Sequence, residues 1–141
     1  MTAGPSQHLS WRELACRDGT AYPAAFIADG RAVRLAAVFE AIRASCGHLP
    51  ITILSAYRSP AHNRKIGGAR HSQHVQGRAL DLRQPKGWAV ATFHQRIKDL
   101  AQALPDLKGI GRYQTFVHVD VRPTDRLVAW NGGAAQKAAA A

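Results

Sequence analysis

Gly109-Ile-Gly-Arg-Tyr-Gln-Thr-Phe-Val-His-Val-Asp-Val-Arg122 reads as two strands joined by a turn at Gln114-Thr115. Phe116 to Val121 alternates cleanly between two kinds of side chain. Strand side chains alternate faces with a period of two, so His118 and Asp120 must share one face. Val117, Val119 and Val121 take the other, and three valines suit a core. Working outward, Ala79-Leu-Asp-Leu82 is a short strand, and Ile51 to Tyr57 is a β-type run after Pro50. Ala32 to Ser45 reads as a helix with Val33, Ala36, Ala37, Phe39 and Ile42 near helical spacing and Gly47 as its stop. Trp88 to Leu104 reads as another, closed by Pro105. Ser10 and Glu13 form a capping-box signature, and Ser59-Pro60 opens a short helix that Gly67-Gly68 ends. Strands close in sequence favour antiparallel pairing. The fold class predicted is α+β: one small domain with a mostly antiparallel sheet and helices packed on one face. Its expected bounds are 9–131, between a flexible lead-in, 1–8, and a flexible tail, 132–141.

A chain of 141 residues with 46% hydrophobic and 20% charged residues suits one soluble domain with a real core. Nineteen Lys+Arg against nine Asp+Glu give a formal charge of +10. That balance favours a polyanionic partner: nucleic acid, an anionic cell-wall polymer or a membrane surface. The basic residues are spread along the chain, which weighs against a nucleic-acid groove. No apolar run reaches the roughly 18 residues of a membrane span, so no insertion is expected. Met-Thr-Ala-Gly-Pro-Ser-Gln-His8 has neither the basic nor the apolar part of a secretory signal, so synthesis in the cytoplasm is expected. Cys16 and Cys46 are expected as free, partly buried thiols, and the chain as a monomer.

His74, Asp81 and His118 carry the chemistry. Two imidazoles and one carboxylate suffice to hold a catalytic Zn²⁺ and leave a fourth position for water. Taken alone, His-x-Asp in a strand is a weak signal, and a lone loop histidine is usually a surface residue. Gly77 permits a tight turn between two of the ligands, and small Ala79 leaves room beside them. Arg58 ends the Ile51 to Tyr57 run. It could clamp a substrate carboxylate, polarise a scissile carbonyl, or only satisfy loop carbonyls.

The ordered set Ser55-Ala-Tyr-Arg-Ser-Pro60 with Asn63, Gly67-Gly68, Ser72-x-His74-x-x-Gly77-x-Ala79-x-Asp81, Gly109-x-Gly111-x-Tyr113 and Phe116-Val-His-Val-Asp120 closely resembles the zinc D-Ala-D-Ala carboxypeptidase family. That family includes murein endopeptidases and phage endolysins, and it shares its metal site with the hedgehog signalling domain. The opening Leu9-Ser-Trp-Arg-Glu-Leu-Ala-Cys-Arg-Asp-Gly19 is similar to small members of the group. The resemblance implies His74, Asp81 and His118 as Zn²⁺ ligands and Arg58 as the residue on the reacting carbonyl or substrate carboxylate. It also implies Ser72 and Tyr113 as substrate-binding residues. Some relatives carry a glutamate three residues before the last histidine; here that position is Thr115. Asp120 is the available carboxylate and is expected as general base, with His71 an extra histidine beside the motif. The function implied is hydrolysis of an amide bond in peptidoglycan stem peptides, acting at the cell wall. The rival expectations are a non-catalytic zinc module of the same fold and a basic nucleic-acid-binding protein.

Overall fold

The computed structural model describes residues 3–132; the tail at 133–141 and the first two residues lie outside the described part. Helix α1, Trp11–Leu14, starts from the expected capping box: Ser10 Oγ accepts from the Glu13 amide and the Glu13 carboxylate accepts from Ser10 N–H. Helices α2, Ala24–Ala28, and α3, Arg31–Ser45, follow. Strand β1 is Thr52–Ser55, helix α4 is Pro60–Lys65 and strand β2 is Ala79–Arg83. Helix α5 is Val90–Ala101, and strands β3, Gly109–Arg112, β4, Val117–Asp120, and β5, Val128–Asn131, complete the order.

The strands form one sheet in the order β1-β2-β4-β3-β5. Its first three pairings are antiparallel, as expected, and β5 joins β3 in parallel. Leu80, Leu82, Ile110, Val117 and Val119 are fully buried from this sheet. They share one core with Phe93 and Ile97 of α5 and with Leu35, Phe39 and Ile42 of α3.

Two details of α3 correct the sequence reading. Its buried side chains are Ala32, Leu35, Ala36, Val38, Phe39 and Ile42, whereas Val33 and Ala37 are exposed. The series 32, 35/36, 39, 42 holds the helical period as well as the expected stripe does, and it carries Leu35 inward. Helix α2 and strand β5 were not expected; each is too short for its own periodicity to show.

At the N-terminal side, Ser6 Oγ and the His8 amide donate to the Glu40 carboxylate at 2.6 and 2.7 Å. Residues 6 and 8 are thus fastened to α3. Both cysteines are free and buried.

Candidate metal centre

Register across the sheet builds the site. Ser55 of β1 faces Asp81 of β2, Asp81 faces His118 of β4, His118 faces Gly111 of β3, and Gly111 faces Trp130 of β5. One row of positions thus crosses all five strands. The adjoining row on the same face runs Ala79, Asp120, Gly109 and Val128. The two glycines make space for their neighbours. A Cβ at Gly109 would stand 2.1 Å from Asp120 Oδ2, and one at Gly111 would stand 2.5 Å from Trp130 Cε2.

His74 comes from the loop after α4. Its backbone is fixed on both sides: its amide donates to Ser72 Oγ, and its carbonyl accepts from the Arg58 and Gly77 amides. Gly77 has φ 68°, and a Cβ there would meet the Phe26 ring at 2.4 Å, so glycine is required on both counts. The Gly77 carbonyl accepts from Tyr22 Oη at 2.7 Å.

The ring nitrogens are assigned by their partners. His74 Nδ1 faces the Ala56 carbonyl at 2.7 Å and must donate to it, which leaves the Nε2 lone pair facing Asp81 Oδ1 at 3.2 Å. His118 Nε2 donates to Asp120 Oδ2 at 2.7 Å, which leaves Nδ1 facing the same Asp81 oxygen at 3.1 Å. Outer hydrogen bonds that fix ligand tautomers in this way are the usual support of a metal site. Three electron-rich atoms therefore converge, all within 4.8 Å of one another. All three residues have no exposed surface. Asp81 Oδ2 accepts no hydrogen bond and has the Arg58 Nη2 at 3.5 Å as its ion-pair partner.

The electrostatics favour a cation here. Burial pushes the Asp81 carboxyl up, but the two imidazoles outweigh it and hold the group well below the usual carboxylate range. Burial lowers His74, so its neutral, ligating form is favoured. For His118 burial also opposes charge, yet the bonds to Asp120 and Asp81 prevail and raise its proton affinity. The donor set itself, two imidazoles with one ionised carboxylate, fits a divalent cation such as zinc.

The remaining expected residues fall around this centre. Arg58 is 1% exposed; it donates through Nη1 to Asn63 Oδ1 at 3.3 Å and through Nε to Ser55 Oγ at 3.4 Å. Asp120 has no exposed surface. Its carboxylate is gripped by Arg122 through Nε at 2.8 Å and Nη2 at 2.7 Å, and by His118. Ser72 is buried behind His74 and bonds its amide. Tyr113 stacks on Phe116 and accepts from Trp130 Nε1 at 3.0 Å. His71 is exposed on the loop. Sequence reasoning missed Trp130, whose ring lies 5.1 Å from that of His118, and Arg122, which neutralises Asp120. The Asp-Val-Arg spacing at 120–122 was a usable signal for the latter, since residues two apart in a strand share a face.

Residues 7–120 match the family model described as Peptidase M15. A search of the curated proteins found no match. The matched stretch contains His74, Asp81, His118, Asp120 and Arg58, and it ends before Trp130.

Proposed function

The chain belongs to the M15 peptidase family, and from that premise we propose that it is a zinc peptidase that hydrolyses an amide bond in the stem peptides or cross-links of peptidoglycan. The observation that carries the reading is the convergence of His74 Nε2, Asp81 Oδ1 and His118 Nδ1, with a buried guanidinium on the second Asp81 oxygen. A zinc ion held by these three residues would supply Lewis-acid activation of water and of the scissile carbonyl.

The chain's own groups do the rest. Ala56 O and Asp120 lock the two imidazoles in the tautomers that present ligating lone pairs. Arg58, fixed by Asn63 and Ser55, balances Asp81 and brings positive charge to the side of the centre where an oxyanion would develop. Both Asp120 oxygens are committed to Arg122 and His118, on the ring edge opposite Nδ1. We therefore assign Asp120 a positioning role in place of the general base expected from sequence. On the α4 side a cavity of about 460 Å³ is lined by Asn63, whose Oδ1 accepts from Arg58, and by Arg64, Arg70 and Val75. Its two arginines suit a substrate carboxylate, and the +10 charge suits an anionic wall. Action at the cell wall on a peptide, as a monomer, is part of the same proposal.

A second reading has one observation in its favour. Thr115 stands where some relatives carry a glutamate, and Asp81 and Asp120 are the carboxylates that contact His74 or His118 among the described residues. A zinc module without catalysis would need no more. Digestion of purified sacculi by the metal-loaded protein, with product masses read, decides between them. New peptide termini identify the enzyme and its bond, and inertness on walls of several chemotypes identifies the module.

A further inference from the structure

We propose that the chain holds a second divalent cation, a zinc-class ion, between Cys16, Asp18 and His62. The thiol, the carboxylate and the imidazole bring one ligand atom each to within 4.8 Å of one another, apart from the centre described above. Ligands about 2.0–2.3 Å from a tetrahedral zinc stand roughly 3.3–3.8 Å apart, so small side-chain rotations close the set. Thiolate with imidazole selects a borderline-soft cation, which sets this site off from the oxygen and nitrogen donors of the first.

The surroundings are those of a supported site. Cys16 is 4% exposed, and its Sγ accepts from the Ser59 amide at 3.4 Å. Asp18 accepts from Ser59 Oγ at 2.6 Å and from the Thr20 amide at 2.9 Å, which orients its carboxylate. The Cys16 Sγ to Ser59 Oγ distance is 3.9 Å. His62 sits in α4, and its ring has no hydrogen-bond partner among the described residues, whereas its amide is capped by Ser59 Oγ. Cys16 and Asp18 lie in the Leu9 to Gly19 opening, which the first metal centre leaves without a role. A cation here would join that opening to α4, whose Asn63 holds Arg58.

Metal content and cobalt spectra of the full chain test the proposal. The parent should bind two equivalents of Zn²⁺, and Co²⁺ loading should give a thiolate-to-cobalt charge-transfer band. The first centre contains no thiolate, so the band reports the second alone. His62→Ala and Cys16→Ser should each bind one equivalent and lose the band. Cys46→Ser should keep it, since that thiol is buried beside Ser45. His118→Ala should also keep the band while losing the other equivalent, which separates a failure here from a failure of the first centre. Should Cys16→Ser not fold, Asp18→Asn and His62→Ala, at exposed and half-exposed positions, carry the test. A parent without the band, or a band indifferent to His62→Ala, overturns the site and leaves only the hydrogen-bonded Cys16, Ser59 and Asp18 group.

Discussion

His118 shows how much a single residue is asked to do. Its Nδ1 points at Asp81 and its Nε2 proton is held by Asp120, which is itself clamped by Arg122. If Asp120 positions the ligand, Asp120→Asn should weaken zinc binding about 10–100-fold, the usual cost of losing an outer partner. If it were the general base, the variant would keep its zinc and lose about 10²–10⁴ in rate. Competitive chelator titration of parent and variant separates these, and unchanged affinity would sink the positioning role. Arg58 makes a different forecast. Its guanidinium is buried beside Asp81 Oδ2, which accepts no hydrogen bond, so Arg58→Ala leaves that carboxylate to the two imidazoles on its other oxygen. Metal-free Arg58→Ala should lose about 1–3 kcal/mol of stability, the cost of leaving the buried Asn63 and Asp81 oxygens without that donor, read by denaturant unfolding. A loss below about 1 kcal/mol would show that the imidazoles alone hold Asp81 and that Arg58 is not a structural residue.

At the scale of elements, strand β4 was the most legible part of the chain. The alternation from Phe116 to Val121 put its valines on one face and His118 and Asp120 on the other; the valines lie in the core and His118 bonds Asp120 on the opposite face. Its register was not legible. Asp81 meets His118 because β2 pairs with β4, and pairing over such a distance in sequence leaves no local mark. The stripe of α3 was read one step off because Val33 and Ala37 are apolar yet exposed, and small or singly exposed apolar residues cost little. Strand β5 was missed altogether: Val-Ala-Trp-Asn lacks alternation, and its place is fixed by the room that Gly111 leaves for Trp130. That dependence can be tested. Gly111→Ala should push the indole off His118, break the Trp130 to Tyr113 bond and cost about 1–3 kcal/mol. The shift of the indole N–H resonance and a melting curve measure both effects, and an unmoved resonance would refute the account of β5.

At the scale of the whole molecule, stability is tied to charge at two places far apart in character. Glu40 fastens the N-terminal segment. Burial pushes its carboxyl up, but the bonds from Ser6 and His8 outweigh it and hold the group below its ordinary value. A carboxyl depressed on folding adds stability that is present above its unfolded pKa and lost as pH falls through its folded one. Glu40→Gln should therefore be less stable than the parent near neutrality, with the gap closing in acid; a gap constant with pH would exclude the linkage. The proposed metal centre reaches further, because His74, Asp81 and His118 come from the loop after α4 and from the adjacent interior strands β2 and β4. A cation that binds only the folded chain stabilises it by about 2.7 kcal/mol at a hundredfold excess over its Kd. For a domain of this size that is worth roughly 10 °C in Tm. The measurement belongs in His62→Ala, so that the second proposed site does not contribute. Stripping the metal should lower the melt by that order, readdition of zinc should restore it, and His118→Ala in the same background should not respond to zinc. Equal melting before and after verified metal removal would mean that the three side chains hold their places without a cation, and that reading of the centre would fall.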